Sequence, residues 1–169
     1  MLKGIKMIYI GIDPGADGAI AILYPEAKFY DAREEVHDCS ELLANRIALV
    51  RDIVTNAKNM KLPTCALIEK VNAFYKSSAK SAFSFGGNFY AWQAILACYK
   101  IPYEFITPRM WQKSMFDSAK KQKDTKTQSV ELASRLYPNI EFKTQRGRKL
   151  DGRADALLIA TYLKKNNND

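Results

Sequence analysis

The sequence predicts an α/β domain, a mixed five-stranded sheet in spatial order 3-2-1-4-5 with helices on both faces. Two observations carry this. Three short strand-like runs follow one another through tight turns, which reads as an antiparallel meander. Two further apolar runs each follow a helical stretch, which adds them to the other side of the first strand. In chain order, residues 6–13 (KMIYIGID) are β-branched and aromatic and stop at the turn pair Pro14-Gly15, so they form a buried strand. Ala16-Asp17-Gly18 turns the chain into a second strand, residues 19–24. Pro25-Glu26-Ala27 turns it again, and 28–32 alternate well enough for a third. Leu42, Leu43, Arg46, Ile47, Leu49, Val50 and Ile53 repeat at helical spacing, with Asp38 or Ser40 as N-cap. Residues 64–68 (TCALI) form the fourth strand, ending at Glu69.

The aromatic-rich stretch 77–100 is punctuated by Gly86-Gly87-Asn88 and is helical at least over 89–99. Residues 103–106 form the fifth strand. Pro108 suits the first turn of a helix holding Met110, Trp111 and Met115. Residues 113–123 are polar and expected to be mobile. A helix over 125–137 is stopped by Pro138, and 143–149 form a basic loop. The last helix starts at Asp151 or Ala154 and runs to Leu163, leaving 166–169 as a frayed tail. One domain spanning 1–169 accounts for the whole chain.

Composition excludes several classes. With 47% hydrophobic and 26% charged residues among 169, the chain has a core and is not mostly disordered. Cys39, Cys65 and Cys98 are scattered and odd in number, which predicts reduced thiols without a zinc site. No apolar run approaches the roughly 20 residues of a membrane span. The short run 7–12 soon meets Asp13 and makes no signal peptide. The expected location is the cytoplasm, that of the host if a phage encodes the chain. No phosphate loop, nucleophile elbow or His-Glu-x-x-His occurs, which argues against nucleotide cofactors, serine hydrolases and zincins. His37, the single histidine, lies among Glu34, Glu35 and Asp38 and reads as a surface residue.

The positive charge is local. Residues 109–149 hold 11 basic and 4 acidic side chains, so nearly all of the net +8 lies in a quarter of the chain. Such a region favours a polyanion, most simply nucleic-acid phosphates, with salt-sensitive binding. The plainer alternative is a solvated lysine-rich surface. A membrane surface is disfavoured, because 120–126 have almost no apolar face.

Four carboxylates stand where a core is expected. Asp13 and Glu69 each end an apolar strand, and those strands are predicted neighbours. Asp151 and Asp155, four apart at the start of an apolar helix, share one helix face. Each has a structural alternative: Asp13 could cap a turn, Glu69 could pair with Lys70 or Arg109, and Asp151 could be an N-cap. Taken together they would repel unless a divalent cation sits among them, and oxygen ligation suits Mg²⁺ or Mn²⁺. Two ions about 3.5–4 Å apart could activate water and stabilise a leaving 3′-oxygen in phosphodiester hydrolysis.

These motifs resemble those of the RuvC-like Holliday junction resolvases, the phage-borne ones above all. The likeness rests on Ile10-Gly11-Ile12-Asp13-Pro14-Gly15, on Ala66-Leu67-Ile68-Glu69, and on Asp151-Gly-Arg-Ala-Asp155 with the helix that follows. Gly86-Gly87-Asn88 with Ala91-Trp92, 107–113 (TPRMWQK) and Lys126 extend it in the same order through nearly the whole chain.

The resemblance implies an RNase H-like fold and a Mg²⁺-dependent endonuclease, a homodimer cutting opposing strands of branched DNA. It implies Asp13, Glu69, Asp151 and Asp155 as metal ligands, and Lys126 as a catalytic group near the scissile phosphate. Two departures are visible. Bacterial members space the last two acids three apart, not four. They also carry an aromatic wedge three residues after the glutamate, where this chain has Asn72, with Phe74 and Tyr75 beyond. Either aromatic could stack on an opened base. The expected DNA contacts are Phe74, Tyr75, Lys76, Lys80, Arg109, Lys113, Lys120, Lys121, Lys123, Arg146, Arg148 and Lys149. Alternatives are a less selective flap, branch or RNA–DNA hybrid nuclease, an actin-like kinase hairpin at residues 13–19 in a chain about half the usual length, and a non-catalytic DNA-binding protein.

Overall fold

The computed structural model describes residues 6–25, 33–39, 42–70, 78–116 and 124–168. The sheet holds β1 (Ile8–Asp13), β2 (Ala19–Tyr24), β3 (Arg33–Asp38), β4 (Thr64–Glu69) and β5 (Tyr103–Ile106) in order β3-β2-β1-β4-β5. β2 is antiparallel to β1 and β3, whereas β1, β4 and β5 run parallel. α1 (Leu43–Met60) and α2 (Ala79–Cys98) cover one face. α3 (Pro108–Met115), α4 (Thr125–Leu136) and α5 (Asp151–Asn168) cover the other. The predicted mixed five-stranded architecture is present. Among the described residues no helix is long and apolar enough to cross a membrane.

Period-two alternation sets the two cores. Ile8, Ile10 and Ile12 pack with Val50, Ile53, Trp92 and Leu96 on the α1/α2 side. Tyr9 packs on the opposite side with Trp111, Val130, Ala154 and Leu157. Asp13 continues that second series beyond Tyr9 and Gly11, and Glu69 follows Leu67 on the same face. Both acids therefore emerge on the α5 side of the sheet.

Several sequence expectations are corrected. The third strand is Arg33–Asp38; residues 28–32 lie outside the described residues. As an edge strand, β3 carries charged residues on both faces, which blunts pairing with other chains and hides the strand from an apolar pattern. Asp38 thus belongs to β3. Ser40 is outside the described residues, and α1 starts after Leu42 with no side-chain cap. α2 runs unbroken through Gly86-Gly87-Asn88, because Phe85, Phe89 and Trp92 bury its inner face and outweigh the cost of two helical glycines. Residues 113–116 belong to the end of α3 and its C-cap, while 117–123 lie outside the described residues. Of the expected frayed tail, residues 166–168 form the last turn of α5 and 169 lies outside the described residues. α5 continues to Asn168, and Asn167 is buried with its amide donating to the Leu163 carbonyl at 2.9 Å.

α5 lies unusually close to β1. A Cβ on Gly11 would overlap the Ala156 carbonyl oxygen and the Ala160 amide nitrogen, both backbone atoms that cannot rotate away. Gly11→Ala is therefore expected to destabilise the domain by about 1–3 kcal/mol, as overpacking does. Gly86→Ala is the contrasting control, since a Cβ there meets nothing within 4 Å. It is expected to stabilise by roughly 0.5–1 kcal/mol through helix propensity. Chemical denaturation of the two variants beside the parent chain measures both.

Candidate active site

The parallel register pairs Ile12 with Ile68, so Asp13 and Glu69 are equivalent next residues on adjacent strands. Asp13 is set by the turn that follows it. The Gly15 amide donates to Asp13 Oδ1 at 2.9 Å, and the Gly15 carbonyl accepts from the Gly18 amide and from Asn88 Nδ2 at 3.3 Å. Asn88 Oδ1 in turn accepts from Arg46 Nη2 at 2.8 Å, and the buried guanidinium lies over the Trp92 ring. The Gly-Gly-Asn segment thus ties α2 to the turn carrying Asp13. Glu69 is 8% exposed and pairs with neither Lys70 nor Arg109 as an ion pair among the described contacts. Its Oε1 accepts from Trp111 Nε1 at 2.7 Å.

Asp151 and Asp155 arrive on the first turns of α5. Gly152 allows that approach: a Cβ there would overlap the Asp17 carbonyl oxygen and stand 2.9 Å from Gly18 Cα. The start of α5 therefore rests on the β1–β2 turn, bringing its two acids towards Asp13. Asp151 lies in the first turn, and its Oδ2 is 2.7 Å from Lys126 Nζ, on the first turn of α4. Lys126 remains largely exposed while holding that pair.

The carboxylates perturb one another. Burial pushes the Asp13 carboxyl up to about 6; the Gly15 amide lowers it, Asp151 raises it and Lys126 lowers it. Burial, then the Asp13 charge, push Glu69 up to about 8 against the Trp111 hydrogen bond, with Asp155 adding to the rise. Burial pushes Asp155 up to about 7, with Asp13 and Asp151 contributing and Ser129 opposing. Asp151 chiefly, by hydrogen bond, holds Lys126 above the usual lysine range.

The expectation is that Asp13, Glu69, Asp151 and Asp155 gather around a divalent cation. Among the described residues, no three His, Cys, Asp or Glu side chains stand in an arrangement that closes on an ion. One oxygen each of Asp13, Glu69 and Asp151 is already bonded, to Gly15, Trp111 and Lys126, and the like charges repel. The donor set still suits a hard divalent cation. All four are carboxylates, and Asp155 Oδ1 is buried without a hydrogen-bond partner, a cost that a cation would relieve. The residues fit such an ion.

Other expected contacts fall in three groups. Arg146, Arg148 and Lys149 sit on an exposed loop closed by an isolated Lys143–Lys149 bridge. Arg148 Nη1 is 3.8 Å from Asp17 Oδ1, and Lys149 bonds Thr127 Oγ1, so this loop borders the acids. Lys80, Arg109 and Lys113 are exposed on α2 and α3. Phe74, Tyr75, Lys76, Lys120, Lys121 and Lys123 lie outside the described residues. Three partners went unread in the sequence: Trp111 on Glu69, Asn88 on Gly15, and Arg153, whose guanidinium bonds Asp38 at 2.6 and 2.8 Å. A tryptophan three residues after a helix-starting proline was the signal for the first.

No family model matches the chain, and no curated protein matches it. Solved structures do. Thermus thermophilus RuvC aligns over 95% of this chain and 98% of its own, at 18% identity with a TM-score of 0.57. T. thermophilus RuvC in complex with a Holliday junction substrate aligns over 96% and 97%, at 15% identity with a TM-score of 0.55. The chain has the RuvC fold. The yeast mitochondrial Holliday junction resolvase Ydc2 also aligns, over 99% of this chain and 84% of its own, at 13% identity with a TM-score of 0.49. The likeness to RuvC extends over nearly the full length of both chains.

Proposed function

We propose that this chain is a divalent-metal-dependent endonuclease that cuts four-way DNA junctions on opposing strands, acting as a homodimer. The observation that supports the reading is that Asp13 and Glu69 end neighbouring parallel strands of a RuvC-fold sheet while the start of α5, with Asp151 and Asp155, rests on the turn after Asp13 beside a basic loop. Burying several carboxylates together costs a packed domain stability, so finding them there points to chemistry. Asp13, Glu69, Asp151 and Asp155 would hold Mg²⁺ or Mn²⁺, two ions in all. When bound, the metal supplies positive charge that stabilises oxyanions developing at a phosphodiester.

The chain's own groups do the rest. The Gly15 amide and the Asn88 bond fix the Asp13 turn, so that its carboxylate stands ready without reorganisation. Lys126 pairs with Asp151 and is exposed, which lets its ammonium pass to a phosphate oxygen as DNA docks. Arg146, Arg148 and Lys149 line the approach and bind backbone phosphates regardless of sequence.

Opposed cuts need two sites, hence two copies of the chain. The outer face of α2 offers a surface for the second copy. Phe83, Gly87, Tyr90, Ala94 and Ala97 recur at helical spacing along it without a charge, and Phe83 is 85% and Tyr90 69% exposed. The test offers the purified chain, with Mg²⁺, a four-way junction, a flap, a duplex and an RNA–DNA hybrid side by side. Paired, symmetric nicks in the junction are expected, from a species sedimenting at twice the chain mass. Equal cutting of flap or hybrid would replace junction selectivity with a broader nuclease, and no cutting of any substrate would end the reading.

A further inference from the structure

We propose that Trp111 is a positioning residue for Glu69, its indole N–H fixing one carboxylate oxygen so that the other is presented to the metal; this deepens the nuclease reading and rests on it. The local fold leaves the indole little freedom. Glu69 and Ile106 are register partners at the ends of β4 and β5. The Lys70 amide donates to the Ile106 carbonyl, locking the two strand ends together. Thr107 then starts α3, with Pro108 at its first position, and the first turn folds back over the end of β4.

Trp111 is completely buried there, packed edge-on against Phe116 with ring centroids 5.7 Å apart. The body of the ring is held by packing, and its one polar atom lies 2.7 Å from Glu69 Oε1. Indole can only donate, and it carries no charge. It therefore orients the carboxylate without neutralising it, which an arginine or lysine in the same place would do. Oε1 is committed to that bond, and Oε2 is the oxygen left to meet a cation. Groups that hold a ligand in this way typically control about tenfold to a hundredfold in metal affinity or activity.

The test uses the full chain and Mg²⁺ alone before any DNA is added. Trp92 and Trp111 are the only two tryptophans, so the indole N–H region of a ¹H–¹⁵N spectrum holds two signals. Glu69→Gln is expected to displace the Trp111 signal and leave that of Trp92. Mg²⁺ titrated into the parent chain is expected to move the Trp111 signal. Trp111→Phe keeps most of the ring and loses the N–H. It is expected to weaken Mg²⁺ binding, measured calorimetrically, by about tenfold, and to lower kcat by about tenfold to a hundredfold with KM for junction DNA unchanged.

A Trp111→Phe chain that binds Mg²⁺ and cuts like the parent would overturn the proposal. So would a Trp111 signal that stays put under saturating Mg²⁺, a result that needs no variant to fold. A parent chain in which Mg²⁺ moves the signal but no junction is cut would sink the nuclease reading and leave the positioning of Glu69 standing.

Discussion

Asp13→Asn is expected to lower junction cleavage by at least a hundredfold while leaving junction binding within about twofold of the parent chain. The loss follows from the part each atom plays. The amide oxygen of Asn can still accept from the Gly15 amide, so the turn is kept, but the charge that would hold a cation is gone. Electrostatic stabilisation by a bound metal is worth several kcal/mol, and each 1.4 kcal/mol is about a factor of ten in rate. Binding is spared because affinity comes mainly from basic side chains on phosphates, and removing a buried negative charge slightly lowers repulsion. Glu69→Gln is expected to behave alike. Its amide oxygen can still accept from Trp111, which separates loss of charge from loss of packing. Gel shift in the absence of divalent metal and cleavage rate in its presence measure the two quantities. Wild-type cutting by either variant would remove these acids from the chemistry.

Much of the sheet was legible because its inner strands are buried on both faces. β1, β2 and β4 carry unbroken apolar patterns, and short connections leave few ways to arrange them. The edge strand β5, with Glu104 and Phe105 exposed, was legible from its place between a helix and Pro108. β3 was misplaced because an edge strand with charged residues on both faces, and Val36 alone packed on the core, has no such apolar pattern. The start of α2 stayed open in the sequence because Gly86 and Gly87 punctuate the aromatic stretch, and only tertiary burial of Phe89, Trp92 and Leu96 carries the helix through them. α5 was given too early an end because its polar last turn looks unstructured, although Asn166 and Asn167 bond back to carbonyls one turn earlier.

The acids were legible for a different reason: a carboxylate at the end of an apolar strand is anomalous on energetic grounds alone. What surrounds them was not. Asp13 bonding Gly15 is a two-residue local event that the sequence allowed, whereas Trp111 meets Glu69 across 42 residues and Asn88 meets Gly15 across 73. Neither pairing leaves a periodic trace. Gly152 is the instructive case. It sits inside the Asp-Gly-Arg-Ala-Asp stretch like a helix fault, yet the missing side chain lets α5 touch the β1–β2 turn and so places Asp151 and Asp155 by Asp13. A glycine between two acids therefore records how close the backbone must come, not how flexible it is.

That crowding makes stability depend on pH and on metal in a direction opposite to ordinary salt-bridged acids. Burial, with mutual repulsion, pushes the folded Asp13, Asp155 and Glu69 carboxyls up to about 6, about 7 and about 8, against about 4 for unfolded carboxylates. Between those values the folded chain holds more protons than the unfolded one, so stability must fall as pH rises. Their contribution is fully present below about pH 4, declines through neutrality and levels off above about pH 8. The summed cost at high pH is of order several kcal/mol. Asp38, whose carboxyl is held below its usual range by the Arg153 hydrogen bond, acts the other way at acid pH and is common to every variant with these acids changed. The difference between parent and variant therefore isolates the site. Thermal melts are expected to show Glu69→Gln more stable than the parent at pH 8.5 and nearly equal to it at pH 5. Mg²⁺ binds only the ionised form, so it is expected to raise the melting temperature of the parent at pH 8.5, to do little at pH 5, and to do little for Glu69→Gln at either. A parent chain that gains no stability from Mg²⁺ at pH 8.5, with the variant no more stable than it, would mean that these acids neither repel one another nor bind the ion.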